Sequence, residues 1–185
     1  MKLTYKRATI QDLDILTTTR IEVLRAANHL SADTDMSEVG KQSHEYYKKA
    51  LCDDTHIAYL IYDEKRFVGA GGVSFFQVMP TYHNPSGKKA YIMNMYTIPE
   101  YRRKGIAYKT LDILIGEIRS RGISAISLEA TSMGRPLYEK YGFVRMNDEM
   151  ELPNRVCGSR IKYMQNNNAS SSACQPGPGA GKPER

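Results

Sequence analysis

Cysteine is scarce in this sequence, and long hydrophobic runs are missing. The three cysteines, Cys52, Cys157 and Cys174, are odd in number and far apart. They suggest neither a disulfide framework nor a zinc site. No apolar run approaches the ~20 residues that a bilayer-spanning helix needs, and the opening Met-Lys-Leu-Thr-Tyr-Lys-Arg has no hydrophobic signal core. The expected compartment is the cytoplasm, with no membrane partner. There is no internal repeat, no long basic run and no RNA-binding motif, although the net charge is +6 and the sequence pI about 9.2. Such a charge suits nucleic acid, an acidic surface or a polyanionic small ligand. The sharpest cluster is Arg102, Arg103 and Lys104. A phosphate-bearing small ligand explains it better than a polynucleotide, so no nucleic-acid partner is expected.

What is present centres on Ala90 to Arg121. The first part, Tyr- and Ile-rich and without glycine, reads as a buried strand that Pro99 ends. The three cations follow, then Gly105. From there Ala107, Leu111, Leu114 and Ile118 recur at three- and four-residue spacing, the mark of a helix with one buried face. A helix that starts at or just before Gly105 offers free N–H groups and the positive end of its dipole just after three cations, which is an anion cradle.

The rest of the chain supplies a mixed α/β order. Leu3 to Arg7 alternates as a strand, and Thr9-x-x-Asp12 forms a capping-box pattern before a helix carrying Ile15, Leu16, Thr19, Val23 and Leu24 on one face. Arg20, Glu22 and Arg25 lie off that stripe. A second helix is expected from Ser37 to Leu51, with Tyr46, Tyr47, Ala50 and Leu51 packing. Strands follow at His56 to Tyr62 and Phe67 to Val78, the latter interrupted by Gly69, Gly71 and Gly72, which mark a bulge or a close backbone approach. Met79 to Lys89 reads as a loop, Ile123 to Ala130 as a strand, Gly134 to Tyr141 as a short helix, and Gly142 to Arg145 with Glu149 to Leu152 as a closing hairpin. At 185 residues a single domain is expected, over 1–164, with Asn154 to Met164 long enough for a short extra strand. The Asn-, Ser-, Pro- and Gly-rich tail at 165–185 is expected to be disordered.

Arg102-x-x-Gly105-x-Ala107 after a strand resembles the acyl-CoA pyrophosphate loop of the GCN5-related N-acetyltransferases. Leu137-Tyr138-Glu139-Lys140-Tyr141-Gly142-Phe143 resembles that family's other signature, in the right order and with a strand between the two. The resemblance implies an α/β fold with a mixed, partly antiparallel sheet flanked by helices and splayed between the fourth and fifth strands. It also implies acetyl-CoA as co-substrate, a primary amine as acceptor, and room for a homodimer. The pantetheine arm would meet the backbone of Met95, Tyr96 and Thr97, the Met95 N–H facing the thioester carbonyl. Arg102, Arg103, Lys104, Gly105, Ile106 and Ala107 would hold the pyrophosphate. Tyr138 matches the family's proton donor to the departing sulfur.

Two departures stand out. The family often places an Asn ahead of the Leu-Tyr pair, whereas Glu-Ala-Thr-Ser-Met-Gly-Arg-Pro-Leu-Tyr has none, which leaves Gly134 and Arg135 as local substitutes at the cofactor. A central-strand carboxylate that serves some members as base is replaced by Asn94. Glu129 is then the nearest candidate base, with Glu22 behind it, and a water relay could dispense with both. His83 could line the acceptor site. The acceptor is expected to be a small molecule, because no peptide-recognition module is appended. Peptide or protein acetylation, a non-catalytic acyl-CoA sensor and, more remotely, a nucleic-acid-binding domain are the competing readings.

Overall fold

The computed structural model describes residues 1–147, 149, 150 and 152. Met1–Val144 forms one compact unit and Arg145–Arg185 a second; the sheet, the helices and the site belong to the first. Five strands lie in chain order: β1 Leu3–Arg7, β2 His56–Asp63, β3 Arg66–Gln77, β4 Lys88–Thr97 and β5 Ala125–Leu128. β1 to β4 pair antiparallel, while β5 runs parallel to β4. The helices are α1 Leu13–Asn28, α2 Ser37–Cys52, α3 Ile106–Ser120 and α4 Arg135–Tyr141.

The Thr9 and Asp12 capping box forms as its spacing predicts, the Asp12 carboxylate accepting the Thr9 N–H at 2.8 Å. It closes a 3-10 turn, Ile10–Asp12, from which α1 departs. The Arg25 guanidinium donates to the carbonyls of Ser31, Ala32 and Thr34 and so fixes the α1–α2 connection.

Each sheet face has its own core. On one, Ile57, Val73, Ala90 and Ile92 pack with Leu111, Leu114, Ile115 and Ile118 of α3. The valine, isoleucine and leucine side chains among these stabilise the fold by about 1.5–3 kcal/mol each when buried. On the other face, Ala58, Leu60 and Ala70 meet Leu16 of α1 and Tyr47 of α2. Tyr46, expected to pack, is 41% exposed.

The expected interruption of β3 is an approach of three elements. β4 carries one extra residue opposite it, since Ala70 pairs with Tyr96 and Gly72 with Met93. Asn94 and Met95 therefore both face Gly71, and Asn94 takes a left-handed φ of 55°. A Cβ on Gly71 would lie 2.7 Å from both the Met95 Sδ and the Thr110 Cγ2, so α3 sits directly on that backbone.

Two expectations change. β5 is shorter than 123–130, because Glu129 and Ala130 have left the sheet. Among the described residues no strand follows α4, and Phe143 to Met146 are irregular, so that arm of the expected closing hairpin is not formed. Part of its other arm, the extra strand at Asn154 to Met164 and the tail lie outside the described residues.

His56, 2% exposed, meets the hydroxyls of Tyr46 and Ser74 through Nδ1, both at 3.1 Å, while its Nε2 has no partner. Burial, helped by the Arg20 charge, pushes its pKa down to about 4. The unfolded chain therefore binds the extra proton first as pH falls below the usual 6.5. Stability is then lost between pH 6.5 and 4 by up to roughly 3 kcal/mol. Denaturant unfolding across that range will show the loss, and His56→Gln will flatten it. Gly71→Ala forces α3 off the sheet and will lower stability by roughly 1–3 kcal/mol in the same assay.

Candidate active site

Pairing between β4 and β5 runs from Lys89 with Ala125 to Ile92 with Leu128 and stops there. β4 continues to Thr97, so its edge from Met93 to Thr97 has no strand partner on that side among the described residues. The bulge at Asn94 lies at the start of this free edge. Asn94 is 6% exposed and its Oδ1 has no partner among the described residues, nor has the buried Thr97 hydroxyl. The three strand residues expected to offer backbone groups thus line one gap. Their side chains diverge: Met95 joins the α3 core, and Tyr96 stacks on Phe67 at 6.5 Å on the opposite face. Burial and the nearby Glu22 charge push the Tyr96 phenol up.

Beyond β4, a turn at Pro99–Tyr101 leads to Arg102, which is extended, then Arg103 at φ 62° and Gly105 at φ 79°. Gly105 is the N-cap of α3, and that left-handed φ is one that glycine adopts without penalty. The first helical bond is Lys109 N–H to the Gly105 carbonyl, 3.0 Å. Among the described residues the N–H groups from Arg103 to Tyr108 have no acceptor. A cradle of free donors therefore exists where the basic cluster precedes the helix. The side chains of that cluster are partly committed elsewhere. Arg102 Nε donates to the Thr97 carbonyl at 3.1 Å, and Lys104 Nζ lies 4.6 Å from the Tyr101 ring centroid.

Tyr138 is 8% exposed and belongs to the cluster that contains Ile92 and Met95 of β4 and Ile126 and Leu128 of β5. Its ring lies edge-on to Phe143 at 6.0 Å. Burial pushes its phenol up to about 12, and no partner for its hydroxyl occurs among the described residues. Gly134 caps α4, and a Cβ there would stand 3.1 Å from the Tyr138 ring, so its backbone seats that ring. Burial, then the charge of Glu129 just past β5, push the Tyr91 phenol up to about 12, which places Glu129 near that ring. The Tyr91 side chain alternates with Ala90 and Ile92, so Tyr138 and Glu129 approach the gap from opposite faces of the sheet. His83 is exposed on its loop, against Tyr82.

Sequence reasoning missed the polar lining of the α1–α2 side. A cavity of about 570 Å³ there is bordered by Arg20, Gln42, Tyr46, Ser74 and Met93, with His56 behind it. These residues come from five elements and share no spacing that could have announced them. Among the described residues no group of three or more His, Cys, Asp or Glu could hold a metal ion, and no helix is long and apolar enough to cross a membrane.

The family model described as acetyltransferase (GNAT) family matches residues 24–143. A predicted acetyltransferase from Clostridium acetobutylicum, solved with acetyl-CoA, is 31% identical, with 82% of this chain and 96% of that one covered at a TM-score of 0.76. A GCN5-related N-acetyltransferase from Ralstonia eutropha JMP134 is 24% identical, covering 82% and 97% with a TM-score of 0.72. Glucosamine-6-phosphate N-acetyltransferase from Arabidopsis thaliana, at 15% identity, shares the fold over 83% and 99% with a TM-score of 0.61. No curated protein sequence matches the chain. With the family match spanning both the helix-start cradle and the Leu137–Phe143 signature, the chain belongs to the GCN5-related N-acetyltransferase family.

Proposed function

We propose that the protein moves an acetyl group from acetyl-CoA to the primary amine of a small molecule by direct attack, with Tyr138 as general acid. One observation carries this reading. The free N–H groups from Arg103 to Tyr108 and the unpaired β4 edge from Met93 to Thr97 adjoin, tied together by the Arg102–Thr97 hydrogen bond. The first set suits a diphosphate and the second an extended amide-bearing arm.

Acetyl-CoA supplies an acetyl group held as a thioester. The amine lone pair forms the C–N bond to the thioester carbonyl carbon, the C–S bond breaks, and its electron pair leaves on sulfur. The Met95 N–H is our donor to the developing oxyanion. Removing such a donor typically lowers turnover by ~10²–10³. The amine proton passes to Glu129, directly or through water. Tyr138 gives its proton to the sulfur. With a phenol near 12 and a thiol at about 8.5 that transfer is uphill, so Tyr138 enters the reaction protonated, passes its proton as charge develops on sulfur, and regains one from water.

Acetyl-CoA will raise the melting temperature of the protein. Gly105→Glu will abolish that shift by putting a carboxylate where the phosphates sit. Gly105→Ala will keep it, at a stability loss of about 1 kcal/mol for a Cβ at positive φ. Equal shifts in the Glu variant and the parent would remove the cradle from the proposal. Tyr138→Phe will keep the shift but lower the rate of thiol release by roughly 10²–10⁴. An unchanged rate would remove Tyr138 from the chemistry.

A further inference from the structure

We infer that the acceptor amine also carries a carboxylate, as an amino acid does, and that Arg20 receives it in the cavity between α1, α2 and the β3–β4 face. The inference rests on the transferase reading above and specifies its acceptor. Among the described residues three arginines are half-buried: Arg20, Arg25 and Arg121. Arg25 is spent on the carbonyls of Ser31, Ala32 and Thr34, and Arg121 on Asp54 at 2.6 Å. Arg20 has neither a hydrogen bond nor an ion pair among the described residues. A guanidinium partly withdrawn from water without a counter-charge is costly, and a ligand carboxylate that takes its two-pronged fork removes that cost.

The surroundings fit such a ligand. The cavity, about 570 Å³, falls within the roughly 300–1,000 Å³ usual for small-molecule sites. Arg20 is close enough to act by charge on Tyr46, Tyr47, His56 and Tyr91. His56 is buried and neutral, so it adds no competing charge. Glu38 stands exposed at the rim, its carboxylate holding the Gln42 amide at 2.8 Å. Tyr91 feels the charges of both Arg20 and Glu129, so a cation and an anion flank one phenol next to the free edge of β4. A molecule with its carboxylate at Arg20 and its amine toward Glu129 matches that polarity. Met93 both borders the cavity and belongs to that edge, so the amine of such a molecule faces the gap.

A second concavity, about 650 Å³, is bordered by Glu22, Arg25, His29 and Tyr96. Its arginine is already committed to backbone carbonyls, and it offers no comparable unsatisfied charge.

The test measures thiol release from acetyl-CoA with the common L-amino acids and, in parallel, their carboxamides, which keep the amine and lose the negative charge. At least one acid will be preferred over its amide by roughly 10- to 100-fold in kcat/KM, the range of a charge-assisted pair. Arg20→Gln will bring that ratio to near one through KM, and Arg20→Lys will restore part of it. Amides used as well as acids, no acid used at all, or a ratio unmoved in Arg20→Gln would each overturn the assignment. Binding of acetyl-CoA, followed by thermal shift in the same preparations, separates the two levels. If it persists in these failures, only the acceptor class falls; if it is absent from the parent protein, the transferase reading falls and this inference with it.

Discussion

A backbone N–H group without an acceptor is expensive to bury, and a fold that keeps several of them in one place must leave that place open. That constraint governs the centre of this protein. β4 and β5 stop pairing at Ile92 and Leu128, and the helix beyond begins with donors that no carbonyl among the described residues satisfies. Both sets lie on consecutive chain, joined by the turn at Pro99–Tyr101. The rest of the unit holds this unsatisfied segment in shape. α3 is pressed onto Gly71, Tyr138 is seated against Gly134, and the Arg102 guanidinium ties the strand end to the loop.

The sheet separates two tasks by face. α3 and α4 line one side with a dry core, which keeps Tyr138 protonated and leaves its hydroxyl free of protein partners among the described residues. α1 and α2 cover the other side less completely and leave a polar concavity with Arg20, Tyr46 and Ser74 on its walls. Under the proposed transfer, the polar concavity would leave the acceptor a route to the β4 edge that the core around Tyr138 does not occupy. The glycines of β3 serve both faces, because a strand without side chains lets a helix and a histidine approach closely.

Much of this was legible in the sequence because it rests on local rules. Periodicity located α3, the Thr9–Asp12 spacing located the start of α1, and Gly105 marked the helix opening at the residue where the structure has it. The direction of side chains beyond the bulge was not legible. Strict alternation through β4 would put Tyr91, Met93, Met95 and Thr97 on one face. The extra residue instead puts Tyr96 beside Tyr91 and Met93 and sends Met95 to the α3 core. The lining of the cavity between α1, α2 and the sheet was hidden for a different reason. Arg20, Tyr46, His56 and Ser74 meet only through tertiary packing of helices on strands, and each looks ordinary in its own segment. The early end of β5 was hidden too, since nothing in Ile123 to Ala130 says where pairing with its neighbour ceases.

The extra residue in β4 makes this strand a counted object as well as a patterned one. Exchange of one side chain for another leaves the phase of its neighbours alone. Loss of the extra residue would close the bulge and leave Met95 and Tyr96 on their faces, whereas loss of Ile92 with the bulge kept would turn Tyr91 into the core and Ala90 out of it. A change of length ahead of the bulge thus disturbs this strand more widely than a change of side chain.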